Sequence, residues 1–471
     1  MFPIVEFPTL VEHYAPFFRG VFSPEAFIEF ERYISGLIVS ENKTVDGINR
    51  LFIKESRNQS SLNRMLTASP FSLESLNQSR LTMLDSVPGT RLKPKGVLSI
   101  DDSLLIHYGQ NFEQIAKLFD PVSHSYVWAH DLVTLHYSDD LTDYPLLFQL
   151  WQPPDLAKLE QGLRDAQVPL KAAKEDLKKT APNKWRAYLM HVWGRLRKKQ
   201  PAVQALYESK IMIAQALLQT WVQQHPDWKW PVAFDNWYTQ PEFCRFLDQT
   251  LHLSYVGTLA ETDKVILKTG EITLKDFAAR LKKEHQEALK EGKPPVFQQI
   301  TIPYKGASES YYSYCQTHRI PNLGKQRLVI NHQQADLGDN PTYLISNRLV
   351  WQAPGITRIR RHRWSVEVYH EEGKAEGLDQ YQLRDWSAIQ RHVALVAVVY
   401  SLLRTVQQDP DFREKLQRQL KVQLKGSVAF WRRSAQAQVL WCLGLFISAG
   451  VAQGMTLSHI LAPFIRIICG V

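Results

Sequence analysis

The chain predicts an α/β fold: a mixed sheet with flanking helices, a mainly β insertion late in the chain, and helical regions at both ends. Three observations carry this expectation. Short β-type runs bounded by turn residues cluster within residues 95–270 and again within 271–355. Apolar residues recur at three- and four-residue spacing through residues 1–90 and across 356–406, and residues 407–471 also read as helical. Two of the β-type runs end in acids, GVLSIDD in Asp101 and Asp102 and PVAFD in Asp235, which suggests the active edge of an α/β sheet.

Composition narrows the function classes. With 471 residues there is room for several domains and a sizeable core. A hydrophobic content of 44% and a charged content of 22% argue against extensive disorder. The net charge of +9 points to an anionic partner, nucleic acid before a membrane surface. The cysteines, Cys244, Cys315, Cys442 and Cys469, are scattered without a CxxC pair, so a zinc site or disulfide framework is not expected and a reducing cytoplasm is. The start, MFPIVEFPTLVEHY, carries acids where a secretory leader needs a basic stretch. The most apolar stretch, 439–452, is read as a buried helix, too short for a span of about 20 residues.

Taken in order, residues 1–90 form a helical region expected to bind DNA. Its TVDGINRLFI and SLNRML segments fit a helix-turn-helix presenting Gln59, Ser61, Asn63 and Arg64, and fit a plain helical bundle equally well. Residues 85–95, DSVPGTRLKPK, read as a linker. GVLSIDDSLLI, SYVWAHDLVTLHYS and YPLLFQLW predict three sequential strands. A helical stretch over 161–199 follows, with eleven Lys and Arg against three acids, so it presents a basic surface. Then come a strand at PVAFDNWY, a helix at PEFCRFLDQTL and a strand at SYVGTLA. The helix TLKDFAARLKKEHQEALKEG opens the insertion, whose runs VFQQITIPY, YYSYCQT, RLVINH and YLISNRLV predict an antiparallel module. The next helix places Arg363, Glu367, Glu371 and Lys374 on one face and stops at Gly377-Leu378-Asp379. An apolar helix, AIQRHVALVAVVYSLLRTV, and a basic helical tail complete the chain.

An acid where a buried strand emerges is costly unless it is paired or used. A phosphoryl-transfer site needs a third carboxylate, and Glu367, flanked by cations, is the candidate. On these residues the chain resembles bacterial insertion-sequence DDE transposases of the IS-four superfamily. Ile100-Asp101-Asp102-Ser103 matches the first motif, Phe234-Asp235-Asn236 the second, and Arg363, Glu367 and Lys374 the signature helix. The resemblance implies a ribonuclease-H-like core interrupted by the β insertion before the catalytic Glu helix. It implies Asp102, Asp235 and Glu367 as catalytic metal ligands for two Mg²⁺ ions, with Mn²⁺ able to substitute. Neighbours on a strand face opposite ways, and the motif favours Asp102, so Asp101 is expected to point away. Arg360, Arg363 and Lys374 are expected to hold the DNA backbone. The implied partners are double-stranded DNA, both transposon terminal inverted repeats and target, and a second copy in a synaptic homodimer. No membrane partner is implied, and the setting is the bacterial cytoplasm, nucleoid-associated on DNA. The implied reaction is cut-and-paste transposition through a hairpin. The chain departs from the pattern at Arg360, where the signature Tyr stands, at Glu371, and at His107-Tyr108-Gly109. These departures keep open a decayed DNA-binding copy, against which the intact triad of acids argues.

Overall fold

The computed structural model describes residues 3–424 and 426–469. Five helices open the chain: α1 (Thr9–Tyr14), α2 (Pro24–Val39), α3 (Val45–Asn49), α4 (Gln59–Thr67) and α5 (Leu73–Ser86). Their starts are set locally, since Ser23, Thr44, Asn58 and Ser72 each accept a first-turn N–H. Strands β1 (Val97–His107), β2 (Ala116–Asp120), β3 (Ser125–Ser138) and β4 (Asp143–Trp151) follow. Next are α6 (Leu156–Asp165), α7 (Leu177–Thr180), α8 (Pro182–Leu196), α9 (Pro201–Gln204) and α10 (Lys210–Gln224). β5 (Val232–Phe234), α11 (Pro241–Arg245), β6 (Tyr255–Leu259), β7 (Lys264–Leu267), β8 (Gly270–Thr273) and α12 (Leu274–Lys290) lead into β9 (Gln298–Tyr304), β10 (Ala307–Ile320), β11 (Gly324–His332) and β12 (Thr342–Ser346). The chain ends in α13 (Ala353–Ala375), α14 (Trp386–Gln408), α15 (Pro410–Leu420), α16 (Val428–Ala452) and α17 (Leu457–Cys469).

The strands join one sheet in the order β2-β3-β1-β5-β6-β12-β11-β10-β7-β8, with β4 beside β3 and β9 beside β10. Only β1, β5 and β6 run parallel to one another; the remaining pairs are antiparallel. The strands of the expected insertion pair antiparallel with one another. They continue the sheet because β12 pairs with β6, Tyr343 opposite Leu259 through Ser346 opposite Val256. One face collects Val97, Ala233, Val256, Val329 and Leu344 under Ala353, Ile356 and Ile359 of α13. The alternate residues Leu98, Ile100, Val232 and Phe234 enter the main core on the other face, together with Ile213, Leu217 and Trp221 of α10.

α14 is apolar on nearly all sides, which requires burial from all sides. It packs against β4, α2, α4, α5 and α16, and so joins the N-terminal helices to the sheet and the C-terminal region. The basic stretch over α6 to α9 has a small core of its own, built on Leu159, Leu163, Trp185, Leu189 and Trp193. The expectation of a fully buried helix over 439–452 needs correction. That stretch is the outer half of the 25-residue α16. Val428, Trp431, Ala435 and Val439 are buried at helical spacing, on the side that meets α2 and α14. Beyond them Leu440, Trp441, Leu445 and Val451 stand exposed. By length and composition α14 and α16 are both long and apolar enough to cross a membrane; α14 has 78% of its most apolar window buried and α16 22%.

Candidate active site

Adjacent parallel strands set the first two acids. Ile100 of β1 lies opposite Phe234 of β5, so the residues that follow, Asp101 and Asp235, stand side by side where β5 ends. Each comes two residues after a position facing α13: Ser99, paired with Ala233, precedes Asp101, and Ala233 precedes Asp235. Asp235 begins a tight loop in which its Oδ1 accepts the Tyr238 N–H at 3.1 Å and its carbonyl accepts the Thr239 hydroxyl at 2.7 Å.

α13 lies across this face and supplies the third acid. Its register is fixed by the apolar contacts of Ile356 and Ile359 and, further along, by Thr134 of β3 with the His370 ring at 3.1 Å. Its stop is Gly377, whose φ of +103° a side chain rarely adopts and where a Cβ would meet Lys43 at 2.9 Å. Arg363 and Glu367, one turn apart, project towards β1. The Arg363 guanidinium donates to Asp101 Oδ2 at 2.5 Å and also to Glu367 Oε1. Burial pushes the Asp101 carboxyl up to about 7, against the pull of the Arg363 charge; the negative charges of Asp235, Asp102 and Glu367 add to the rise. Asp235 is raised as well, chiefly by burial, with the Tyr238 N–H and the charge of Arg363 opposing. Arg363, Asp101, Asp235 and Glu367 thus form one electrostatic cluster.

The Asp102 charge is felt there, but its side chain turns away. The expectation that Asp102 faces the site and Asp101 turns away is reversed by the pleat. Asp102 points to the α10 face, where it accepts from Lys210 Nζ at 2.8 Å and from the Tyr238 hydroxyl at 2.9 Å. Lys210 also donates to buried Asp131 at 2.9 Å and lies over the Trp237 ring, 4.5 Å from its centre. Burial, followed by the Asp102 charge, lifts Asp131 to about 8, with Lys210 opposing. Lys210 and Tyr238 escaped the sequence reading, because the pairing spans 108 residues in the first case and 136 in the second. A lysine just after the helix-capping Ser209 gives no local sign of it.

The remaining predicted residues lie along α13. Arg360, one turn before Arg363, has no hydrogen bond or ion pair for its buried Nε among the described residues. Burial, then the neighbouring Arg363 charge, lowers it to about 10. With Arg361, Trp364, Glu309, Tyr311 and Asn331 it lines an open cleft of about 660 Å³ between α13 and the inserted strands. Lys374 lies three turns beyond Arg363 on the same face, half-buried and outside the acid cluster. The donor set suits a hard divalent ion: carboxylate oxygens, with a cation already bridging two of them. Among the described residues no three acids stand as a preformed metal cage.

A family model described as DDE superfamily endonuclease matches residues 16–295. The match includes Asp101, Asp102 and Asp235 and ends before Glu367. No curated protein matches the chain.

Proposed function

Because the chain belongs to the DDE superfamily of endonucleases, nucleases that act on DNA with divalent metals, we propose that it is a DNA transposase related to the IS-four group. In this reading it binds transposon ends as a homodimer in the bacterial cytoplasm and catalyses strand cleavage and strand transfer. One observation carries it: Arg363 of α13 bridges Asp101 of β1 and Glu367, and Asp235 stands beside Asp101 at the end of β5, near enough for its charge to act on Arg363. We assign these three as the metal ligands, with Asp101 in place of Asp102. Divalent ions held there, Mg²⁺ with Mn²⁺ able to substitute, supply positive charge at the scissile phosphate and ease attack by water or a 3′-hydroxyl. The protein's own groups do the rest. Arg360 and Lys374, which have no ion pair among the described residues, would take phosphates on either side, Arg360 by its planar fork. The Asp102–Lys210–Asp131 cluster stiffens β1 from behind.

The test uses a labelled duplex carrying the inverted repeats that flank the gene, with cleavage in Mg²⁺ and gel shift in Ca²⁺. Asp235→Asn keeps the shape and weakens a ligand, so cleavage should fall more than the roughly hundredfold lost with an outer-shell partner, while the shift persists. Wild-type cleavage by Asp235→Asn overturns the mechanism. Binding without cleavage by the parent protein makes the chain a decayed, DNA-binding copy.

A further inference from the structure

We propose that Arg363 is a latch on the acid cluster: it acts as an internal counter-ion that keeps divalent metal out of the DNA-free protein and is drawn off by a DNA phosphate, so that metal loading follows DNA binding. The proposal rests on the reading of Asp101 and Glu367 as metal ligands. The guanidinium spans the two carboxylates and has no other anchor among the described residues; its Nε is buried without a partner. A metal bound to the same oxygens needs bonds of about 2.0–2.1 Å for Mg²⁺. Those oxygens are already engaged by donors, and a second positive charge beside Arg363 is repelled. Guanidinium and metal therefore compete for one place. Three acids facing the two guanidiniums of Arg360 and Arg363 are close to neutral without metal, and adding divalent ions with both arginines in position leaves an excess of positive charge. Phosphates remove that excess. Arg360, unpaired among the described residues and lining the open cleft one turn away, is where an incoming backbone is first met. A phosphate there offers Arg363 a partner it lacks in the free protein.

Mn²⁺ binding to the full chain, followed by the paramagnetic signal of the free ion, tests this without reading activity. Wild-type protein alone should bind Mn²⁺ weakly, and a duplex should tighten binding by about tenfold or more, within the usual range of coupling between sites. Arg363→Gln removes the competing charge and should bind Mn²⁺ without duplex about tenfold more tightly than wild type, with little left for duplex to add. Wild-type protein that binds duplex in a gel shift yet binds Mn²⁺ equally well with and without it overturns the latch. So does an Arg363→Gln protein that is folded by circular dichroism and binds Mn²⁺ no better than wild type. If Arg363→Gln does not fold, Arg363→Lys keeps the charge but cannot span both acids; it should show a smaller gain, and no gain overturns the proposal. Failure of the transposase reading looks different: no variant binds duplex, while the Mn²⁺ gain of Arg363→Gln remains. That result removes release by DNA and leaves the counter-ion.

Discussion

Asp101 and Asp102 are chemically the same and face opposite layers of the molecule, one towards Arg363 and Glu367, the other towards Lys210 and Tyr238. Their substitutions should separate accordingly. Asp101→Asn removes a negative ligand from the acid cluster and should abolish Mg²⁺-dependent cleavage while leaving the Ca²⁺ gel shift. Asp102→Asn leaves Lys210 its bond to Asp131 and Tyr238 an amide oxygen. Its cost should be that of one hydrogen bond to a charged group, about 1.5–3 kcal/mol in urea unfolding, with cleavage retained. A dead Asp102→Asn beside an active Asp101→Asn would falsify the assignment of faces. The sequence shows that only one of the pair can face Glu367, since successive strand residues alternate. It does not show which one, because the deciding partners, Arg363 and Lys210, lie 262 and 108 residues further along. The neighbouring Ser103 carries no such information.

Elements are tied to one another by a second buried charge, at the start of β4. Asp143 accepts from Arg404 at 2.8 Å and Tyr400 at 2.6 Å, both on α14, and from Lys305 in the β9–β10 turn at 2.6 Å. Burial opposes its ionisation, but the charges of Arg404 and Lys305 outweigh that and hold the carboxyl well below the ordinary range. A depressed folded-state pKa gives stability that is present above the unfolded value, near 3.9, and is lost as pH falls below it. Asp143→Asn leaves Arg404 buried without its counter-charge and should cost about 3–5 kcal/mol at neutral pH. It should also flatten the acid limb of stability between about pH 5 and 3. Urea midpoints across pH 3–7 check both, and midpoints equal to wild type would sink the account. Which elements were legible follows from their length and partners. β1, β3 and β4 announce themselves as long apolar runs, and α13 ends at the Gly377 its sequence marks. β2, β7 and β8 are only four or five residues and show no usable period. That the inserted strands continue the sheet depends on β12 meeting β6, a pairing no local pattern records.

At the scale of the whole molecule the excess of nine positive charges meets a polyanion. Part of that charge is already committed: Arg358 pairs with Asp140, Arg361 with Glu309, and Arg197 and Lys198 with Glu242. What remains for phosphates, among the described residues, is Arg360 beside the acids, Lys374 further along α13, the lysines and arginines of the α6–α9 region without an ion pair, and Arg413 and Arg433 of α15 and α16. A bound duplex should displace counterions wherever its backbone meets these charges. Neutralising about eight phosphates gives a slope of roughly −7 in log K against log salt concentration. The slope should hold for duplexes of unrelated sequence, since backbone contacts carry no base information. Arg360→Ala should make it shallower by about one unit, the loss of one phosphate contact, and Asp235→Asn should leave it no shallower, having removed no positive charge. Filter-binding isotherms from about 50 to 200 mM salt span the useful range. An affinity that hardly changes over it would mean that the positive surface is not a DNA track, and that the acids on α13 and the sheet edge serve some other phosphodiester.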